Sequence, residues 1–74
     1  MFEKVRAVIV KQLHLLDTDI TPETELLVDL SVNSLDLVEL VCAFETEFDI
    51  FVPEKDIRKF AKVKDIVAYL EQRA

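Results

Sequence analysis

The sequence predicts an all-α protein: a four-helix bundle with a short third helix and a long loop between helices one and two. Three observations support this fold class. The chain has no glycine and only two prolines, whereas tight β-hairpin turns favour glycine. Its apolar residues recur at helical rather than alternating spacing. Hydrophobic residues make up 51% of 74 residues, enough for the core of a single small domain spanning residues 1–74.

The first helix is predicted over residues 2–15. Its apolar residues lie three or four positions apart, and they are Phe2, Val5, Ile9, Leu13 and Leu16. A loop then runs from Asp17 to Asn33. Within it, the segment T-P-E-T resembles a capped turn, with Thr21 as the cap and Pro22 at the first helical position. Four apolar residues are expected to pin this loop onto the core: Ile20, Leu26, Leu27 and Leu30.

The second helix is predicted from Ser34 to Glu47. Asn33 is a favourable N-cap, and Asp36 lies near the positive end of the helix dipole. A helical wheel separates two apolar stripes, whereas an ordinary amphipathic helix has one. The stripe expected to face the core comprises Leu37, Leu40, Val41, Phe44 and Phe48.

The second stripe lies on roughly the opposite face of the same helix. It comprises Leu35, Val38 and Cys42, and acidic residues border it at Asp36, Glu39, Glu45 and Glu47. An isolated exposed apolar residue is ordinary on a protein surface. Three on one stripe, beside a serine and an acidic rim, favour a docking surface for basic proteins.

Two further helices complete the bundle. Pro53 is expected to begin or precede a short third helix that reaches about Lys59. The last helix is indicated by Val63, Ile66, Val67 and Leu70 at helical spacing. Because the residues before Val63 offer no side-chain oxygen as a cap, its first turn is expected to fray.

Charge is divided unevenly along the chain. Between Lys11 and Lys55 there is no Lys or Arg, and this interval holds eleven acids. Such a segment repels nucleic acid, whose binding requires cations to neutralise phosphates. It attracts and steers basic protein partners.

The residues argue against an enzyme, so we assign no catalytic residue. A nucleophilic serine needs a base and usually an oxyanion hole, but His14 is the single histidine and lies at the end of the first helix. Asp17-Thr-Asp19 lacks the glycine and spaced ligands of a calcium loop, and no Cys/His cluster is present, so no metal site is expected. Cys42 is the single cysteine, which fits a reducing compartment.

The segment D-L-S-V-N-S-L-D-L-V-E-L (Asp29 to Leu40) resembles the attachment segment of the acyl carrier protein family, typically D-L-G-x-D-S-L-D-x-V-E-L. The likeness extends through A-F-E-T-E-F-D-I-F-V-P (Ala43 to Pro53). I-T-P-E-T-E-L (Ile20 to Leu26) and V-K-D-I-V-A-Y-L (Val63 to Leu70) are also similar to the family. Essentially the whole chain is covered, in the correct order.

The resemblance implies a bundle of the acyl-carrier type in which Ser34 carries a 4′-phosphopantetheine arm. A phosphopantetheinyl transferase would transfer the arm from coenzyme A, with the serine oxygen displacing the nucleotide portion at phosphorus. The arm's thiol would hold acyl groups as thioesters for acyl-processing enzymes with basic docking surfaces. The expected function is that of a free-standing carrier for fatty-acid biosynthesis or a related acyl pathway.

Two residues depart from the family pattern. Asn33 replaces the usual aspartate, and Ser31 replaces the usual glycine. These departures keep open a specialised carrier for polyketide or aminoacyl cargo. A third hypothesis is a non-carrier interaction subunit that uses the acidic second helix only for assembly.

Simpler features of the sequence predict the cellular location and the oligomeric state of the protein. No run approaches the roughly 18 apolar residues that a membrane span needs, and the first residues lack the apolar core of a signal peptide. We expect a soluble, cytoplasmic monomer, or an organellar protein that has already been processed.

Overall fold

The computed structural model describes residues 1–73; Ala74 and the side chain of Asp17 lie outside the described part of the chain. Within it lie four α-helices: α1 (Phe2–Leu13), α2 (Ser34–Phe48), α3 (Glu54–Ile57) and α4 (Val63–Arg73). A short 3-10 helix (Asp17–Asp19) lies in the loop between α1 and α2. The all-α prediction is confirmed, with its short third helix and long loop. A single domain over residues 1–74 stays a prediction.

The first helix ends two residues earlier than predicted. His14 takes a left-handed conformation (φ 58°), and its N–H donates to the carbonyl of Val10. The N–H of Leu15 donates to the same carbonyl at 3.1 Å. These bonds satisfy a carbonyl that the helix end leaves without a partner, so α1 ends at Leu13 although the apolar spacing continues to Leu16.

One face of α2 lies at the centre of the core. Four members of its predicted inner stripe are buried: Leu37, Leu40, Val41 and Phe44. The fifth, Phe48, is partly buried with its ring centroid 6.2 Å from that of Phe44. The other helices and loops add further buried side chains: Val5, Ile9, Ile20, Leu26, Val32, Val52, Phe60, Val63, Ile66 and Leu70.

The long loop is bonded to the start of α4. Glu25 and Lys62 form an isolated antiparallel bridge. Three backbone N–H groups donate across the same boundary: Leu26 to the carbonyl of Ala61 (2.9 Å), Val63 to that of Thr24 (3.0 Å) and Lys64 to that of Pro22 (2.9 Å). We call this set of bonds the loop–α4 seam. It fixes a loop that has almost no regular structure of its own.

The prediction that α4 frays at its start is wrong. Oδ2 of Asp65 accepts hydrogen bonds from the N–H groups of Ala61 (3.1 Å) and Lys62 (2.9 Å). The next two N–H groups donate to the loop through the seam. The cap therefore comes from an acid inside the first turn, which is one half of a capping box.

The loop prediction is correct in part. Ile20 and Leu26 are buried and Leu30 is partly buried, but the prediction for Leu27 is wrong, because its side chain is 59% exposed. In the turn at residues 21–24, the Thr24 hydroxyl accepts from the N–H of Thr21 at 2.8 Å. The turn is therefore capped by its last residue rather than its first.

The third helix is held by one buried carboxylate. Asp56 is only 7% exposed, and its Oδ2 accepts a hydrogen bond of 2.7 Å from the Tyr69 hydroxyl on α4. Lys59 and Arg73 lie 3.6 and 3.8 Å from the two carboxylate oxygens. The bond from Tyr69 holds the pKa of Asp56 below its ordinary value of 3.8, although burial opposes this. A helix of one turn is unstable alone, so this tie to α4 fixes α3.

Replacing Phe44, which is 1% exposed, by alanine is expected to lower the free energy of unfolding by about 3–5 kcal/mol. That loss is comparable with the whole stability of a small domain, so the variant should be largely unfolded by circular dichroism. Glu39→Lys, on the exposed face of the same helix, is the control and should change stability by less than about 0.5 kcal/mol. A folded Phe44→Ala with an unfolded Glu39→Lys would contradict the assignment of the two faces.

Asp56→Asn is expected to lower the Tm at neutral pH, because the amide cannot replace the charged acceptor of Tyr69, Lys59 and Arg73. The folded-state pKa of Asp56 is depressed, so its contribution is present above the ordinary aspartate pKa and is lost as pH falls through the folded value. Thermal melts should show the gap between wild type and variant narrowing below about pH 4. A gap that is constant down to strongly acidic pH would contradict this role.

Candidate functional site

Ser34 is the first residue of α2, and its side chain is exposed. Asn33 precedes it in an extended conformation (φ −88°, ψ 179°), and its Oδ1 accepts from the N–H of Asp36 at 2.8 Å. The predicted N-cap is thus confirmed. Because Asn33 caps the helix, the hydroxyl of Ser34 is not needed for that task and is accessible to another protein.

The turn before Ser34 is held at both ends. The N–H of Glu25 donates to Oδ2 of Asp29 at 2.8 Å, and the N–H of Val32 donates to the carbonyl of Leu26 at 3.0 Å. Between them Ser31 takes a left-handed conformation, with φ 55°. Glycine takes this conformation without steric cost, whereas another residue pays on the order of 1 kcal/mol. The loop therefore enters α2 through a strained position.

A groove of about 350 Å³ opens beside Ser34, between α2, α3 and the loop. Its lining is mainly apolar: Leu27, Leu37, Val38, Ile57 and Phe60. Glu54 and Arg58 are its charged lining residues. Leu27, which sequence reasoning assigned to the core, is instead exposed at this groove.

The outer stripe of α2 is accessible to solvent. Leu35 is 67% exposed and Val38 is 43% exposed, and Cys42 is also exposed. Val38 lines the groove beside Ser34 as well, so the stripe and the groove are continuous.

The four acids of α2 have different surroundings. Glu39 is exposed, whereas Asp36 is partly buried. Glu45 is partly buried, and its Oε2 accepts from the N–H of Val52 at 2.8 Å, so this carboxylate holds the loop that follows α2. Glu47 is exposed and lines a separate groove with Lys4 and Lys11 of α1. Glu39 is thus the acid that lies nearest the middle of the exposed stripe.

The described residues contain neither a cluster of metal ligands nor a membrane-spanning helix. No group of three His, Cys, Asp or Glu side chains that could hold a metal ion occurs among the described residues. Over residues 1–73, no helix has the length and apolar character needed to cross a bilayer.

Sequence reasoning identified Ser34 and the outer stripe but missed the far wall of the groove. That wall comes from Ile57, Arg58 and Phe60, some 23 residues or more beyond Ser34 in the chain. The spacing of these three residues in the sequence does not predict that they form a wall of the groove. The orientation of α3 depends instead on the bond between Asp56 and Tyr69.

Comparisons with known proteins agree with this geometry. Residues 3–70 match the family model described as "Phosphopantetheine attachment site". An acyl carrier protein of Helicobacter hepaticus is 46% identical over 70 residues, covering 95% of this chain and 92% of that protein. The acyl carrier protein of Akkermansia muciniphila is 47% identical over 70 residues, covering 95% and 88%. That of Helicobacter pylori is 42% identical over 71 residues, covering 96% and 91%.

The matched segment includes all of α2 and every residue that lines the groove beside Ser34. The relatives are similar to this chain over almost their full length as well as its own. This chain belongs to the phosphopantetheine-attachment family that includes the acyl carrier proteins.

Proposed function

We propose that the protein is an acyl carrier protein with 4′-phosphopantetheine attached to Ser34, serving fatty-acid biosynthesis or a related acyl pathway. The observation that carries the proposal is an exposed serine at the start of α2, beside an apolar groove. The family to which the chain belongs and the acyl carrier proteins that it resembles support the same function. The protein is a carrier on which separate enzymes act, rather than an enzyme itself.

The residues around Ser34 fit such a group. When bound, the arm supplies a thiol that holds acyl chains as thioesters. The exposed hydroxyl of Ser34 can reach the active site of a transferase, and the first turn of α2 favours the negative charge of a phosphodiester. The apolar lining of the groove, chiefly Leu37, Val38 and Ile57, can cover apolar atoms beside the attachment point.

The outer face of α2 fits transient contact with other proteins. Leu35, Val38 and Cys42 supply exposed apolar area, and Glu39 supplies charge that steers a basic partner. Steering raises the association rate without requiring tight binding, which suits a carrier that visits several enzymes. The phosphopantetheinyl transferase and acyl-processing enzymes with basic surfaces are the proposed partners. Asp36 and Glu47 add long-range attraction for a basic partner. The carboxylate of Glu45 already accepts a hydrogen bond from the N–H of Val52.

A specialised carrier for polyketide or aminoacyl cargo is the second candidate. It is favoured by Asn33 and by Ser31, whose left-handed conformation (φ 55°) suits the glycine usual in the family. Both residues lie directly before Ser34, where a transferase must bind.

A cytoplasmic location and a monomeric state also stay proposals.

Ser34, and not Ser31, is expected to receive the arm, because Ser34 begins the helix beside the groove. Incubation with coenzyme A and a broad-specificity phosphopantetheinyl transferase should increase the intact mass by one phosphopantetheine. Peptide mapping should place the added mass on Ser34. Ser34→Ala should abolish it and Ser31→Ala should retain it. An arm found on Ser31 would contradict the assignment, and no added mass on the wild type would favour a non-carrier interaction subunit.

Glu39→Lys is expected to weaken binding to the transferase about two- to tenfold, because it reverses charge on the exposed stripe. Calorimetric titration with the transferase would measure the change, which should shrink at high salt. Glu71→Lys is the matched control, since it makes the same reversal at an exposed position of α4. Equal losses for the two variants would show that net charge, and not the α2 face, controls docking.

A further inference from the structure

Arg58 occupies a distinctive position in the groove beside Ser34. It follows the last residue of α3, and its side chain is 78% exposed. Among the described residues that line the groove, it alone is positively charged. On the opposite wall, α2 has acids but no Lys or Arg. The groove therefore has its cation on the α3 side and its serine on the α2 side.

The present partner of Arg58 holds it weakly. Its Nη2 lies 3.4 Å from Oε1 of Glu54, and the side chain of Glu54 is 80% exposed. Exposed pairs four residues apart on a helix contribute little stability, because water competes for both charges. A guanidinium also has five N–H donors, so Arg58 can accept a second anion or exchange partners at small cost.

The orientation of α3 keeps Arg58 at the groove. Asp56 points toward α4, where it accepts from Tyr69, while the next residue, Ile57, lines the groove. Since the bond to Tyr69 prevents this short helix from turning about its axis, Arg58 is held on the groove side as well. The fold thus sets the side of α3 on which Arg58 lies, while its exposed side chain is free to change partner.

Other cations nearby are less suited to a group on Ser34. Lys59 lies 3.6 Å from Oδ1 of Asp56 and so serves the tie between α3 and α4. Lys62 and Lys64 both pair with Glu23 at 3.2 Å. Lys55 does not line the groove.

We propose that Arg58 is the counter-ion of the phosphodiester formed on Ser34, and that their pairing ties α3 to the start of α2 in the modified protein. The inference rests on the proposed attachment at Ser34. Modification adds a permanent negative charge where Asp36 and Glu39 already lie nearby and where α2 supplies no cation. A guanidinium stays charged at every relevant pH and can bond two phosphate oxygens at once. Arg58 is a positioning residue here, because it orients the arm and carries no cargo.

The test compares unmodified and modified forms of the wild type, Arg58→Gln and Lys55→Gln. Lys55→Gln is the matched control, because it removes the same charge from α3 outside the groove. Intact mass establishes modification of each protein. Thermal melts and the ³¹P resonance of the phosphodiester then report pairing without any activity assay.

Modification is expected to raise the Tm of the wild type and of Lys55→Gln by about 2–4 °C more than that of Arg58→Gln. This difference should vanish near 1 M salt, where the screening length is about 3 Å. The ³¹P resonance of modified Arg58→Gln should be displaced from that of the other two, and Arg58→Lys should restore part of the Tm gain.

Two failures are distinguishable. Full modification of all variants with equal Tm changes and identical ³¹P resonances would overturn the role of Arg58 and leave the carrier function intact. No added mass on the wild type would overturn the attachment at Ser34 and this inference with it.

Discussion

One face of α2 is buried, and the positions of Ser34 and of the outer stripe depend on that burial. Leu37, Leu40, Val41 and Phe44 orient the helix in the core, so residues on the opposite face must point outward. The exposure of Leu35 and Val38 is therefore a consequence of packing on the other side of the same helix. A change that rotated α2 would displace Ser34, the outer stripe and the α2 wall of the groove together.

The parts that sequence reasoning predicted depend on near neighbours in the chain. The cap by Asn33 and the two stripes of α2 follow from helical geometry alone, and both are observed. Most of the parts it missed depend on contacts between distant segments. The bonds that Val63 and Lys64 donate needed the loop–α4 seam, and the exposed position of Leu27 needed the path of that loop. The cap from Asp65 is local, and it was missed because this acid lies after the start of α4 rather than before it. The orientation of α3 needed Tyr69, thirteen residues beyond Asp56.

Charge in the folded protein is separated by element. The acids of α2 meet no base within their own helix, whereas Arg58, Lys59 and their neighbours make the segment after Pro53 rich in cations. Several of these cations are already paired, notably Lys62 and Lys64 with Glu23. A partner that approaches α2 therefore meets a strongly acidic helix beside a mixed one. The partner can therefore distinguish the acidic α2 from the mixed-charge segment after Pro53, in addition to responding to the total charge.

The loop–α4 seam also orders events during synthesis. Residues 22–26 of the loop before α2 are bonded to residues 61–64, which leave the ribosome after Ser34 and the residues that line the groove beside it. Until they emerge, Pro22, Thr24 and Leu26 lack the backbone partners that they have in the folded protein. A nascent chain that already displays its serine thus lacks the folded surface that surrounds it. The loop that leads into α2 is therefore complete only after α4 has begun to form.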